Sequence, residues 1–461
     1  MNNSNNQRTV MRAETRLLII CVVLLSLASG VQSQIAGQVH LSFGEKPFEY
    51  VATWSTPLPV QFSRARYGVS DNYPANAVEV SGWQSKFVDG GELANTQYIH
   101  RVSFAASPSV NKATLYYYQV WNDTDWSTLF SFRVPAVTSA SRSWYSYFLR
   151  GSSIKDASAS WYPKVTIFGD FGLSNPQIFP ALLQDLATRE TDFMVHNGDF
   201  AYDMYDDNGT NGDNWLNYVQ PVYANIPVMT SVGNHEEKYN FSHYRARFTM
   251  PMFNQSENLF FSFNAGNTHW ISFSSEAYFE YGSVDLIQKQ LDFIEKDLIA
   301  ANKERHIRPW IFAYAHRPMY CSDSDDDDCL FNRNEWKAEL ENLFYKYGVD
   351  IVFEAHQHTY ERLWPTMNGR VLNSSTPGEP YRNPLAPVHI VTGAAGCPED
   401  LQKFDKGPLG DWSAVRIADY GYGKLTILND THLTFDQVDK YRNVVDSILL
   451  IREQHVGYNQ L

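Results

Sequence analysis

The chain has 461 residues, 44% of them apolar and 19% charged, which excludes a disordered protein and predicts more than one domain. Its net charge of -14 argues against nucleic acid as a partner and leaves any bound anion to a local positive centre. At the N-terminus, Arg8, Arg12 and Arg16 precede the apolar stretch LLIICVVLLSLA, followed by small residues. That pattern predicts a secretory signal peptide over 1–33 and a mature start near Gln34. The apolar stretch is shorter than the roughly 20 residues of a membrane span, and no stable membrane anchor is expected. The mature protein is expected to be secreted, with lysosomal delivery as the alternative, since one leader serves both routes. Sequons at Asn122, Asn208, Asn240, Asn254, Asn373 and Asn429 predict a glycoprotein.

Residues 34–135 read as all-β. The runs IAGQVHLSFG, FEYVATWST, VQFSRARYGVS, YIHRVSFAA, ATLYYYQVW and LFSFRVP are short, strand-like and broken by turn residues at sandwich spacing. Trp54 is the expected core anchor. Residues 136–162 are Ser-rich and irregular and read as a linker. From 163 to 461 strands alternate with helices. The strands are KVTIFGD, TDFMVHNGD, IPVMTSVGNH, THWISFSS, RPWIFAYAH, VDIVFEAHQH and PVHIVTGAA. The helices are IFPALLQDLATRE, VDLIQKQLDFIEKDLIAANK and EWKAELENLFYKY, with apolar residues three and four apart. Continuous apolar strands predict an α/β domain whose sheets are covered on both faces. Cys321 and Cys329 flank the loop SDSDDDD, and an oxidising compartment favours a disulfide between them. Cys397 is left over: buried and inert, or linking a second chain in a homodimer.

The chemistry sits where the strands end. One strand runs into Gly169-Asp170, another into Gly198-Asp199 with Tyr202 close behind, a third into Gly233-Asn234-His235. Two more end at His316 and at the pair His356 and His358. Ligands of open α/β sheets bind at the carboxyl ends of strands. A single Gly-Asp is ordinarily a turn, and a single strand-end histidine is ordinarily packed. His196, His269 and His389 are read that way. Five strand ends that all carry carboxylate, amide or imidazole are not explained by packing, because buried carboxylates are costly unless paired or metal-bound. Carboxylates, imidazoles and an amide without thiolate suit Fe, Mn or Zn. Asp170, Asp199, Tyr202, Asn234, His316, His356 and His358 are too many for one ion. With one carboxylate shared they fill two sets of four, as in two-metal hydrolases with ions about 3.5–4 Å apart. A phenol joins such a set readily only against a strongly acidic ion such as Fe(III).

The blocks GDFG, GDFAY, GNHE, AHRPMY and AHQHTYER, in this order, resemble the signature of the metallophosphoesterase superfamily and specifically of the purple acid phosphatases. The resemblance covers nearly the whole mature chain and is to the long, two-domain plant-type and animal members. It implies a fibronectin-like β-sandwich followed by an α/β metallophosphoesterase domain with two mixed sheets between helices. It implies that Asp170, Tyr202 and His358 bind Fe(III), that Asn234, His316 and His356 bind a second metal (Fe, Zn or Mn), and that Asp199 bridges. His235 would hydrogen-bond the substrate phosphate, and Glu236 would be structural. The implied reaction is hydrolysis of small phosphate monoesters by a metal-bound hydroxide in acid solution. Two departures stand out. Ala355 replaces the glycine of the plant-type block, and the acidic loop CSDSDDDDC replaces a plant-type histidine pair, which leaves the leaving-group acid unassigned. The alternatives are a phosphodiesterase or nucleotide hydrolase on the same core, or a non-catalytic glycoprotein that keeps the scaffold.

Overall fold

Strand Thr114–Val120 shows how the first sheets form: its inward rings Tyr116 and Tyr118 alternate with half-buried positions, the period-two pattern of a sandwich. The computed structural model describes residues 36–69, 73–137, 161–279, 282–323, 337–374, 376, 378–405 and 410–460. The expected leader, most of the expected linker, Cys329 and the acidic run after Asp323 lie outside these residues. At the linker's edges, Val137 bridges to Val110 and Trp161 is buried. Cys321 is disulfide-bonded.

Two antiparallel four-stranded sheets make the N-terminal layer pair. Trp54, Tyr50, Phe104, Tyr118 and Phe132 fill the space between them, and Trp54 is 1% exposed, as expected of an anchor. Strands Val78–Ser81 and Trp83–Val88 were not legible as apolar runs because they are mostly exposed. His100 stacks on Trp54 with ring centroids 4.9 Å apart, and its nitrogens meet Thr56 and Ser63. Burial lowers both His40 and His100 to about 4. Both are neutral in the fold and take up a proton on unfolding between pH 6.5 and 4. Their contribution is therefore complete above pH 6.5 and lost as pH falls toward 4, by about 3 kcal/mol per histidine. Urea midpoints are expected to fall from pH 7 to pH 4.5, and His100→Gln should flatten that slope; an unchanged slope would count against it.

The second part is built on two mixed sheets. Strands Val228–Ser231, Phe193–Asn197 and Lys164–Phe168 run parallel, and three antiparallel strands, Gly421–Ile427, His432–Asp439 and Val444–Ile451, complete a six-stranded sheet. Parallel strands Thr268–Ser272, Trp310–Tyr314, Ile351–Glu354 and Val388–Thr392 form the centre of a seven-stranded sheet. The inner faces meet through Phe193 on Trp270 (5.5 Å) and Phe353 on Phe435 (5.8 Å). Helices Val284–Lys303 and Lys337–Tyr347 cover the other face of the seven-stranded sheet, where Ile294, Leu298, Leu340 and Phe344 pack on Ile271, Ile311 and Val352. On the six-stranded sheet, His196 sits against Trp215 of helix Thr210–Tyr223. Among the described residues no helix is long and apolar enough to cross a membrane.

The two parts share a polar seam. Asp89 accepts from His243 at 2.8 Å, and Arg247 donates to Asp213 at 2.6 Å and to Gln38 at 3.2 Å. Asp89, His243 and Arg247 are almost fully out of water, so each is held by partners rather than by solvent.

Candidate metal centre

The strand ends of both sheets open into one cleft. Asp170, Asp199 and Asn234 follow strands of the six-stranded sheet, while His316 and His356 follow strands of the seven-stranded sheet. All five lie on one domain, as expected, and its two sheets converge here. Backbone crowding sets the exits. A Cβ on Gly233 would lie 2.2 Å from Asp199 Oδ1, and one on Gly169 would lie 2.3 Å from Ala355 Cβ. The second contact accounts for Ala355: the methyl group occupies the room that Gly169 leaves. Asp170, Asp199, Tyr202 and His356 have φ of 61°, 57°, 49° and 67°. Left-handed backbone at non-glycine residues costs free energy and is typical of functional sites.

His316 Nδ1 donates to the Asn197 carbonyl at 2.7 Å, which leaves the Nε2 lone pair facing inward. It meets Asn234 Oδ1 at 2.9 Å, His356 Nδ1 at 3.1 Å and Asp199 Oδ2 at 3.2 Å. On the other side, His358 Nδ1 faces the Asp400 carbonyl at 3.0 Å, so its Nε2 lone pair faces Tyr202 Oη at 2.9 Å and Asp170 Oδ1 at 3.5 Å. Lone pairs crowded in this way repel one another unless a proton or a metal ion lies between them, and the donor types of both sets fit a metal. The electrostatics agree. Burial opposes charge on His316 and His358, yet the Asp199 and Asp170 carboxylates push them up to about 9 and about 11. Burial likewise opposes the Asp199 carboxylate, but His316 and His235 hold it far below the usual range.

His235 is near both sets. Its Nε2 lies 4.0 Å from Asp199 Oδ2, and its Nδ1 contacts Asp203 Oδ1 at 2.7 Å. Burial opposes its charge, but Asp199 and Asp203 push it up to about 10. Glu236 is buried and accepts from the backbone N–H groups of Asp199, Phe200 and Gly233 at 2.8–2.9 Å. Gln357 points away from the cleft, and its amide nitrogen, turned toward Asp323, lies 2.9 and 2.8 Å from that carboxylate. Asp323 is 1% exposed, so it is not placed at the mouth to meet a leaving group. His196, His269 and His389 are packed, bonded to Tyr223, to Asn264 and Asp297, and to Glu354.

Several neighbours went unread in the sequence. Asp203 holds His235, and Arg317 Nη1 lies 3.1 Å from His356 Nε2. Glu399, half exposed, comes within 3.5 Å of His235 Nε2. Asp203 and Arg317 directly follow predicted ligands, which was the available signal. Nothing local marked Glu399. Cys397 is 1% exposed and its sulfur lies 3.0 Å from His358 Nδ1. Of its two expected roles, its burial as a free thiol accords with the first.

Comparison with known proteins agrees with this geometry. Residues 36–134 match the family model "Purple acid Phosphatase, N-terminal domain", 163–360 match "Calcineurin-like phosphoesterase", and 386–447 match "Iron/zinc purple acid phosphatase-like protein C". The chain is 42% identical to "Acid phosphatase type 7" of Homo sapiens over 94% of its own length and 96% of the relative's. The chain belongs to the purple acid phosphatase family. Another acid phosphatase type 7, from Danio rerio, is 40% identical over 95% of each chain. The fold is that of the purple acid phosphatase PPD1 from yellow lupin seeds (TM-score 0.72, 22% identity, 92% of this chain and 75% of that one). As a purple acid phosphatase, the chain has a metal centre, and Asp199, His316 and His356 form a group able to hold an ion.

Proposed function

We propose that this chain is an acid phosphatase that hydrolyses small phosphate monoesters at a pair of metal ions. The observation that carries the reading is the convergence of acceptor atoms from both sheets, with His316 and His358 turned so that their lone pairs face inward. Asp170, Tyr202 and His358 would hold Fe(III), Asn234, His316 and His356 a divalent Fe, Zn or Mn ion, and Asp199 would be shared. A metal pair supplies Lewis acidity toward phosphate oxygens and makes water acidic enough to attack in acid solution.

The chain's own groups do the rest. With Asp203 on Nδ1, His235 keeps Nε2 toward the cleft as a donor to a phosphate oxygen, in a position to stabilise charge as it develops. Glu399, at the solvent side of His235, is placed to protonate a departing alkoxide. Burial of Asp170, Asp199 and His316 keeps bulk water from screening these charges. The leader and sequons support a secreted glycoprotein, with lysosomal delivery as the alternative; Asn240, Asn254, Asn373 and Asn429 are exposed, and Asn122 and Asn208 half-buried. The disulfide of Cys321 is assigned to Cys329.

Elemental analysis with a visible spectrum tests the reading, together with a panel of monoesters and diesters. Two metals per chain, violet absorption and preference for monoesters are expected; protein without iron, or faster diester cleavage, would sink it. Asp203→Ala should lower kcat by about 10- to 100-fold with KM little changed, since it frees His235 without touching a metal. Equal loss in an unaltered His235 background and in His235→Ala would show that Asp203 does not act through His235.

A further inference from the structure

The turn that carries Tyr202 and Asp203 is strained. Ala201, Tyr202 and Asp203 have φ of 64°, 49° and 131°, three left-handed residues in a row and none of them glycine. Such backbone persists only where its surroundings fix it. Here one side chain does so. Asn211 Nδ2 donates to the carbonyls of Ala201, Tyr202 and Asp203 at 3.2, 3.2 and 2.9 Å. An amide has two N–H groups, so at least one is shared between two carbonyls. Three peptide units converge on one nitrogen, and the turn cannot relax toward ordinary backbone without giving those contacts up.

Asn211 stands in the first turn of helix Thr210–Tyr223, and that helix is fixed to the N-terminal sandwich. Asp213, Asn217 and Gln220 recur at helical spacing and share one face. Asp213 Oδ1 accepts from Gln38 Nε2 at 3.1 Å and from Gln97 Nε2 at 3.0 Å. Asn217 Oδ1 accepts the Gln38 backbone N–H at 3.0 Å, and Gln220 Oε1 accepts that of Val39 at 2.8 Å. Strand Gly37–Phe43 shifts register against its neighbour between Gly37 and His40, so the helix takes up N–H groups at the place where the ladder is interrupted.

We propose that the N-terminal sandwich positions Tyr202 and Asp203 through this helix, with Asn211 as the point of contact. Asn211 is a positioning residue: it bonds to backbone and acts through the side chains that this backbone aims. Tyr202 points at the proposed iron position and Asp203 holds His235, so a single amide sets a metal ligand and the phosphate donor in register. This rests on the assignment of Tyr202 to iron and of His235 to the phosphate.

A phenolate on Fe(III) absorbs in the visible, and its band follows the geometry of that bond, a readout separate from turnover. The test uses the full chain loaded with iron, with bound iron counted, the band recorded and a monoester hydrolysed. Asn211→Ala is expected to shift the band at unchanged iron content and to lower kcat by about 10- to 100-fold with KM little changed. Asn211→Asp, of the same size but without the N–H groups, should do the same. Val219→Ala loosens the same helix on its buried apolar side, and should lower the urea midpoint while band and kcat stay in place. Band and kcat unchanged in both Asn211 variants, or moved as far by Val219→Ala, overturns the role of Asn211. Asn217→Leu paired with Gln220→Leu strips both acceptors from the sandwich strand, and should shift the band the same way with kcat about three- to tenfold lower. If that double variant matches the unaltered chain, the part assigned to the sandwich is wrong. Tyr202→Phe separates the levels: a band that survives it removes the iron assignment beneath the proposal.

Discussion

Asp199→Ala is expected to lower kcat/KM for a phosphate monoester by on the order of 10⁴, with metal content falling below one ion per chain. Asp199 Oδ2 lies 3.2 Å from His316 Nε2, and Oδ1 accepts the His235 N–H at 3.1 Å. The substitution therefore removes the carboxylate proposed to be shared and the acceptor that fixes the backbone of His235. The N-terminal sandwich contributes no residue to this cluster, and its core around Trp54 should melt as before. Retained turnover or a full metal complement would remove Asp199 from its bridging role.

The next largest effect separates the two histidines of the last block. His358 Nε2 lies 2.9 Å from the Tyr202 oxygen, whereas His356 Nδ1 lies 3.1 Å from His316 Nε2, so the pair divides between two groups of side chains, each proposed to hold one ion. His358→Ala is expected to abolish violet absorption and iron content. His356→Ala is expected to leave the iron absorption and lose the divalent ion. Each should lower turnover by on the order of 10³. Identical metal losses from the two variants would mean that both rings serve one ion.

The predicted strands and helices of residues 163–392 all form, because their apolar runs are long enough to show a period. The candidate cluster was legible for a related reason: Asp170, Asp199, Asn234, His316 and His356 each closely follow such a run. Three kinds of feature were not. Helix Thr210–Tyr223 contains glycine, asparagines and an internal proline, so propensity argued against an element that packing by Trp215, Leu216 and Val219 sustains. The strands from Gly421 onward carry lysine, threonine, aspartate and glutamine between their apolar residues and were not among the predicted strands. The groups that orient the ligands, such as Asp203, Arg317 and the Asp400 carbonyl, act through contacts that only folding creates. Tyr360 to Arg362, which follow the histidine pair, lie in a strand that Tyr360 and Arg362 tie to Asp446 at 2.6–2.7 Å.

The position of those late strands bears on how the protein is made. The sheet that ends in Asp170, Asp199 and Asn234 carries Gly421–Ile427 as the direct neighbour of Lys164–Phe168, so it stays incomplete until the last segment has left the ribosome. Every proposed ligand has been translated by residue 358, yet the sheet that aims half of them still lacks three strands. Pairings this distant in sequence form slowly, after local structure. Iron or zinc offered to the nascent chain would find ligands without a site. A chain stopped after residue 420 is expected to bind no metal although it contains all seven ligand side chains named above, and metal retained by it would contradict this order of events.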